Sequence, residues 1–306
     1  MFMRGRRQRD PQVDPQALTG DSLAEGVPSH LEAPLRRWIF SILHDDEDNA
    51  ERIALDLRVT VKTGNVYSPA RFLALGISRD QLIDVVNSML RLSAAPSAEQ
   101  RFNPGSGYGR RSYLMTAGSG RREVEIAALQ DMLTLAGSAY RVNSARSGLE
   151  RRVEPTVQQA AAQALATSRS QQSGSASQHL ETAWQCAYGQ NPDPSKAYSE
   201  AIKAVESASQ ALIEPNNSRA TLGTMLKVIG NSPQRFTTVI PAAANSGTTD
   251  IGLVVDMMRR LWQGQTSRHG SQTPTQMETQ QQAEMAVHLA AALVQLFAAG
   301  LVRRMP

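Results

Sequence analysis

The octapeptide Gln263–Gly270, QGQTSRHG, holds the only histidine of the chain that directly follows an arginine, and a glycine able to turn the backbone sharply comes next. A guanidinium holds an anion through paired N–H donors, and an imidazole titrating near neutrality takes or returns a proton beside it. Arg268 and His269 could therefore act on an anionic substrate. The same residues also fit a plain helix connection, in which His269 caps the terminal helix region and Arg268 salt-bridges across a bundle. The elements on either side bear on the choice.

Before the loop, Ile251–Trp262 repeats Ile251, Val254, Val255, Met258, Leu261 and Trp262 at helical spacing. Arg259 falls at the margin of that face, whereas Arg260 points away and lies four residues after Asp256, within pairing reach. After the loop a helix is expected over Met277–Arg304, apolar on too many sides for a monomer's surface, so it belongs in a bundle core or a dimer interface. Met285–Val302 has the length of a membrane anchor. It is mostly alanine, however, and Gln281, Glu284, His288 and Gln295 make a polar stripe along it, which predicts a core helix and no membrane partner. Further back, Asp193-Pro194-Ser195 opens a helix over Lys196–Ile213 that buries Tyr198, Ile202, Val205, Ala208 and Leu212. Glu206 flanks its buried face, either paired with Lys203 or solvent, or in a functional role.

The order of these segments, AYSEAIKAVESASQALIEPNN, then ATLGTML, an amphipathic helix with arginines near its end, a His-Gly loop and an Ala-rich last helix, resembles the HEPN superfamily in its abortive-infection C-terminal branch, over about 180–304. The resemblance implies an up-and-down helical bundle, usually a homodimer, and a metal-independent endoribonuclease of phage-defence or toxin systems. It also implies an RNA substrate and an antitoxin or sensor as partner. His269 matches the family histidine, Gly270 the glycine after it, and Glu206 the earlier acidic position. At the family's arginine spacing this chain has Trp262, Gln263 and Gly264, so either Arg268 or Arg259 makes the phosphate contact or the site is non-catalytic. In that second case the bundle would be a dimeric RNA- or protein-binding module. In the catalytic case, His269 would take the proton of a ribose 2′-hydroxyl, whose oxygen attacks the adjacent phosphorus and leaves a 2′,3′-cyclic phosphate. The guanidinium would offset the developing charge, and Glu206 would orient imidazole or hydroxyl. No cluster of His, Cys or Asp with metal-ligand spacing is visible, and no cofactor is expected.

The rest of the chain supplies the frame. At 306 residues and 41% hydrophobic content, two domains are expected, mainly α. The net charge of +4 mildly favours a polyanion. The single cysteine, Cys186, reads as a small apolar residue and fits a reducing compartment, the cytoplasm. Residues 1–34, with Arg4, Arg6, Arg7 and Arg9, read as a disordered basic arm. An α+β regulatory or sensor domain is expected over 35–153, with helices at Leu35–Leu43, Ser78–Leu92 and Val124–Ala136. Ile53, Leu55, Leu57, Val59 and Val61 alternate as in a strand, and a small β-hairpin follows Gly137. The run with Gly105, Gly107, Gly109, Gly118 and Gly120 lacks the Lys-Ser/Thr ending of a phosphate-binding P-loop and reads as a mobile loop. A helical linker over 154–179 leads to the HEPN-like bundle, 180–306.

Overall fold

The computed structural model describes residues 23–61, 68–94, 119–243, 249–267 and 275–305. Among these the chain is mainly helical with a few short strands, and it divides into two compact units, Met1–Ser147 and Gly148–Pro306.

The first unit contains α1 (Ser29–Leu43), α2 (Glu47–Asp56), α3 (Leu82–Ala94) and α4 (Ser119–Leu135), and ends on β1 (Tyr140–Val142). Helix α1 starts inside the segment expected to be disordered and runs through Pro34. Leu31 and Leu35 are buried to 2% and 0% exposure, and that burial outweighs the one ladder hydrogen bond a proline cannot donate. All five apolar positions expected of the next helix, Leu82, Val85, Val86, Met89 and Leu90, are buried in α3.

The strand expected from the alternation of Ile53 to Val61 is not formed; its first half is α2. Ile53 is fully buried while Leu55 is 77% exposed, so alternate residues do not share a face. Capping decides the outcome: Asp46 accepts from Asn49 N at 3.2 Å, and Glu47 and Asp48 complement the helix dipole in the first turn. Arg58, at φ 55°, follows the helix in the left-handed region. Of the glycine-rich run, Gly105, Gly107, Gly109 and Gly118 lie outside the described residues, and Gly120 sits in the first turn of α4.

The second unit opens on β2 (Leu149–Arg151), so that the turn expected between two short strands is also where the units divide. Then come α5 (Pro155–Thr167), α6 (Ala176–Tyr188), α7 (Pro194–Ile213), α8 (Leu222–Asn231), β3 (Phe236–Thr238), α9 (Gly252–Gly264), α10 (Gln280–Ala298) and β4 (Val302–Arg304). The start of α7 is the expected one: Asp193 accepts from Lys196 N at 3.0 Å and Pro194 takes the first helical position. Helix α7 packs against both α6 and α10 and forms the axis of the core. Ala197, Ala201, Ala204 and Ala208 on α7 and Ala283, Ala286 and Ala290 on α10 are all buried, and side chains this small let helix axes approach closely. Segment 154–179, expected to be a linker, adds Ala161, Ala164 and Ala176 to this core.

The last helix is shorter than expected. Helix α10 stops at Ala298, Gly300 turns the chain at φ +67°, and the residues expected to continue it become β4. Most of its apolar surface is covered within its own unit, where Ala283, Ala286, Val287, Ala290, Ala291, Leu293, Val294 and Phe297 are buried, while Met285 is exposed. No helix among the described residues is long and apolar enough to cross a membrane.

Candidate functional site

The connection from α9 to α10 carries the candidate site, and its two stems are fixed to the bundle. Helix α9 ends at Gly264, where a Cβ would lie 2.3 Å from Tyr198 Oη, so a larger residue would have to push the Tyr198 side chain aside. Gln265, 8% exposed, donates to Ser199 Oγ at 2.6 Å. Thr266 Oγ1 donates across the loop to Gln276 O at 2.9 Å. Both stems then meet at Glu278. Its Oε1 accepts from Thr266 N at 3.1 Å and Ser267 N at 2.9 Å, and its Oε2 accepts from Ser195 Oγ and Ser267 Oγ, each at 2.7 Å.

Glu278 is 5% exposed. Burial alone would raise its pKa, but the hydrogen bonds from Ser195 and Ser267 outweigh it and bring the carboxyl from an ordinary 4.5 down to about 2. Thr279 then caps α10 by a reciprocal pair with Gln282. Nothing in the sequence pattern marks Glu278 or Ser199 as part of a site, and Ser195 and Gln265 stand there only as a helix start and a loop residue. The nearest signal was an acid immediately before a capping threonine, at the end of a polar loop.

Arg268, His269 and Gly270 lie outside the described residues, on the stretch between these pinned stems. The other two expected site residues are described, and both are engaged. Arg259 Nη1 donates to Asp256 Oδ1 at 2.7 Å, the pairing expected of Arg260. Both side chains are half exposed or more, so the pair is held weakly. Glu206 is part-buried, and Lys203, its expected partner, donates to Glu200 instead. Its Oε1 accepts from Leu222 N, the first residue of α8, at 2.7 Å. A carboxylate there answers an orphan N–H and the positive end of the helix dipole.

Ser195, Ser199 and Glu206 fall on one stripe of α7, with Glu206 about 10 Å along the helix from Ser199. Gly223, one residue into α8, faces Trp262, whose Cζ2 would be 2.6 Å from an added Cβ. The last turn of α9 is thus seated on α8 through Trp262 and on α7 through Gly264. Glu206, the Thr221-Leu222-Gly223 segment and the loop stems therefore share one region of the bundle. As a measurable consequence, Glu206→Ala should lower the free energy of unfolding by about 1 kcal/mol. A substitution that leaves the denaturation midpoint unchanged would show that the cap is not structural.

Other polar groups of this unit are separate from the loop. His179 Nδ1 lies 2.6 Å from Glu200 Oε2, while Glu200 Oε1 accepts from Lys203. His288, on the expected polar stripe of α10, bonds Tyr188 Oη through Nε2 at 2.8 Å. Burial, with the nearby Glu284 carboxylate, raises the Tyr188 pKa, so this hydroxyl stays protonated and is no nucleophile. Burial also pushes the Cys186 thiol up, in keeping with an unreactive, partly buried cysteine.

Compared with known proteins, the chain matches no family model, no curated protein and no solved structure.

Proposed function

We propose that the second unit is a HEPN-type module that acts on RNA through the α9–α10 loop, with His269 as general base and Arg268 as the phosphate-holding group. The observation that supports this reading is the convergence of both loop stems on the buried carboxylate of Glu278. Three of these bonds come from the first stem and one from Ser195 of α7, so the two ends of the loop and α7 are tied at one point. Pinned stems fix the two ends of the loop, and positioning of the reacting groups is what the chemistry requires. In this reading Glu206 supports the site by holding α8, and the first unit regulates it or senses the trigger.

The engagement of Glu206 at the N-terminus of α8 favours a second reading, a non-catalytic module that binds RNA without cutting it. Incubation of the full chain with end-labelled RNA separates the two. The catalytic reading expects cleavage that EDTA does not suppress, with 2′,3′-cyclic phosphate on the upstream product. Arg268→Ala should then slow cleavage by a factor of about 10 to 100, with Lys restoring only part of it, because Lys cannot reproduce a bidentate contact. Arg259→Ala should change the rate little, since its guanidinium already pairs with Asp256. Binding without cleavage supports the second reading, and loss of both overturns the assignment to RNA.

A further inference from the structure

We propose that the β3–β4 ribbon is a binding surface for the phosphodiester backbone of a nucleic-acid strand, held by Arg235, Arg303 and Arg304. The two strands pair antiparallel in the register Phe236 with Arg304, Thr237 with Arg303 and Thr238 with Val302. The ladder continues beyond both ends: Met305 N donates to Arg235 O at 2.8 Å and Val239 N to Leu301 O at 3.0 Å. Alternation then sorts the side chains. Phe236 and Val302, 3% exposed each, face the core. Arg235, Thr237 and Val239 share the outer face with Met305, Arg303 and Leu301.

Arg235 and Arg303 are thereby diagonal neighbours on that outer face, about 7–8 Å apart. Arg304 pairs with Phe236 and so leaves the opposite face, but it lies at the open end of the ribbon and is exposed as well. None of the three has an ion-pair partner among the described residues. Arg303 Nε is tied to Gly300 O at 3.2 Å, which steadies the guanidinium while its terminal nitrogens stay available. The carboxylate nearest in bonding to β3, Asp250, is occupied by Thr237 Oγ1 at 2.9 Å and Ala242 N at 2.8 Å.

Two guanidinium groups on the outer face and a third at the open end of the ribbon, none of them in an ion pair among the described residues, suit a ligand whose negative charges repeat along a line. Arginine on such a ribbon can hold phosphate oxygens in bidentate fashion. No aromatic side chain shares the outer face, so the contact reads backbone charge and not base identity. The ribbon also lies at the far end of α10 from Glu278, about 28 Å away along a helix of this length. Its contribution is therefore independent of whether the loop cleaves RNA.

The test is fluorescence anisotropy of the full chain with a labelled single-stranded DNA and a 2′-O-methyl RNA of the same sequence, over a series of salt concentrations. The methylated strand lacks the attacking hydroxyl and cannot be consumed. Each phosphate neutralised on a single strand adds about 0.7 to the slope of log K against log salt. The triple substitution Arg235→Gln, Arg303→Gln, Arg304→Gln should therefore flatten the slope by about 2, weaken binding about tenfold or more at low salt, and do so alike for DNA and RNA. Should the triple variant fail to fold, Arg235→Gln and Arg303→Gln singly should each flatten it by about 0.7. An unchanged slope, or a wild-type chain that binds neither strand, overturns the proposal. So does a triple variant that keeps nucleic-acid binding and loses affinity only for an acidic peptide.

Discussion

Glu278→Ala is expected to lower the free energy of unfolding of the second unit by about 3 kcal/mol, because it strands two backbone N–H groups and two hydroxyls beside a buried void. The acid limb of the stability curve provides an independent estimate. A carboxyl whose pKa is 4.5 when unfolded and about 2 when folded binds protons more weakly in the native state. Its stabilisation is therefore complete above about pH 4.5 and is lost as the pH falls towards 2, by about 3 kcal/mol in all. Glu278→Gln keeps the shape and one acceptor, so it should cost less at neutral pH and should flatten that acid limb. Chemical denaturation at pH 7 and pH 3 measures both effects. Equal stability losses for wild type and Glu278→Gln between these pH values would mean that the carboxylate is not what ties the stems.

The second large effect is on activity. If His269 takes the 2′-hydroxyl proton, His269→Ala should slow RNA cleavage about a hundredfold or more, the usual size of a general-base contribution. Helicity and thermal midpoint should stay close to wild type, since Gln265, Thr266, Ser267 and Glu278 fix the stems. The rate should also rise with pH through the histidine range and level off above it, because only neutral imidazole accepts the proton. A variant that cleaves as fast as wild type removes the base from His269. One that melts far below wild type returns the residue to a structural role.

These two substitutions differ in how far the sequence discloses them. His269 stands out in a one-dimensional reading because Arg-His-Gly is a rare local combination. Glu278 does not, because what makes it special is Ser195, a hydroxyl 83 positions earlier. Helices are legible in the sequence where the apolar period runs long, as in α3, α7 and α9, and α7 adds a capping aspartate. Local signals failed where two periods were compatible. In α2, the alternating apolar residues after Ile53 suit a strand as well as a helix, and the acidic cap at Asp46 was the information that distinguished them. At the end of α10 the apolar Leu301 and Val302 prolong a helical pattern, yet Gly300 breaks it. Their pairing with β3 could not be read, since a strand partner is defined only by the fold. Glu206 was placed correctly beside the buried face, but its partner, a backbone N–H of α8, leaves no trace in a side-chain pattern.

The β3–β4 pairing has a consequence for the order in which this unit assembles. Helices α6 and α7 are joined by the short connection 189–193, so their contacts close a small loop at little entropic cost. Thr238 and Val302 pair only across the whole of α9, its loop and α10. Closing so long an excursion early would forfeit chain entropy before any burial compensates for it, so the ribbon forms after α10 has docked on α7. The arginines of the ribbon come together at that last step, and a chain that has collapsed around its alanine-lined helices but not yet joined its strands does not present them as one surface.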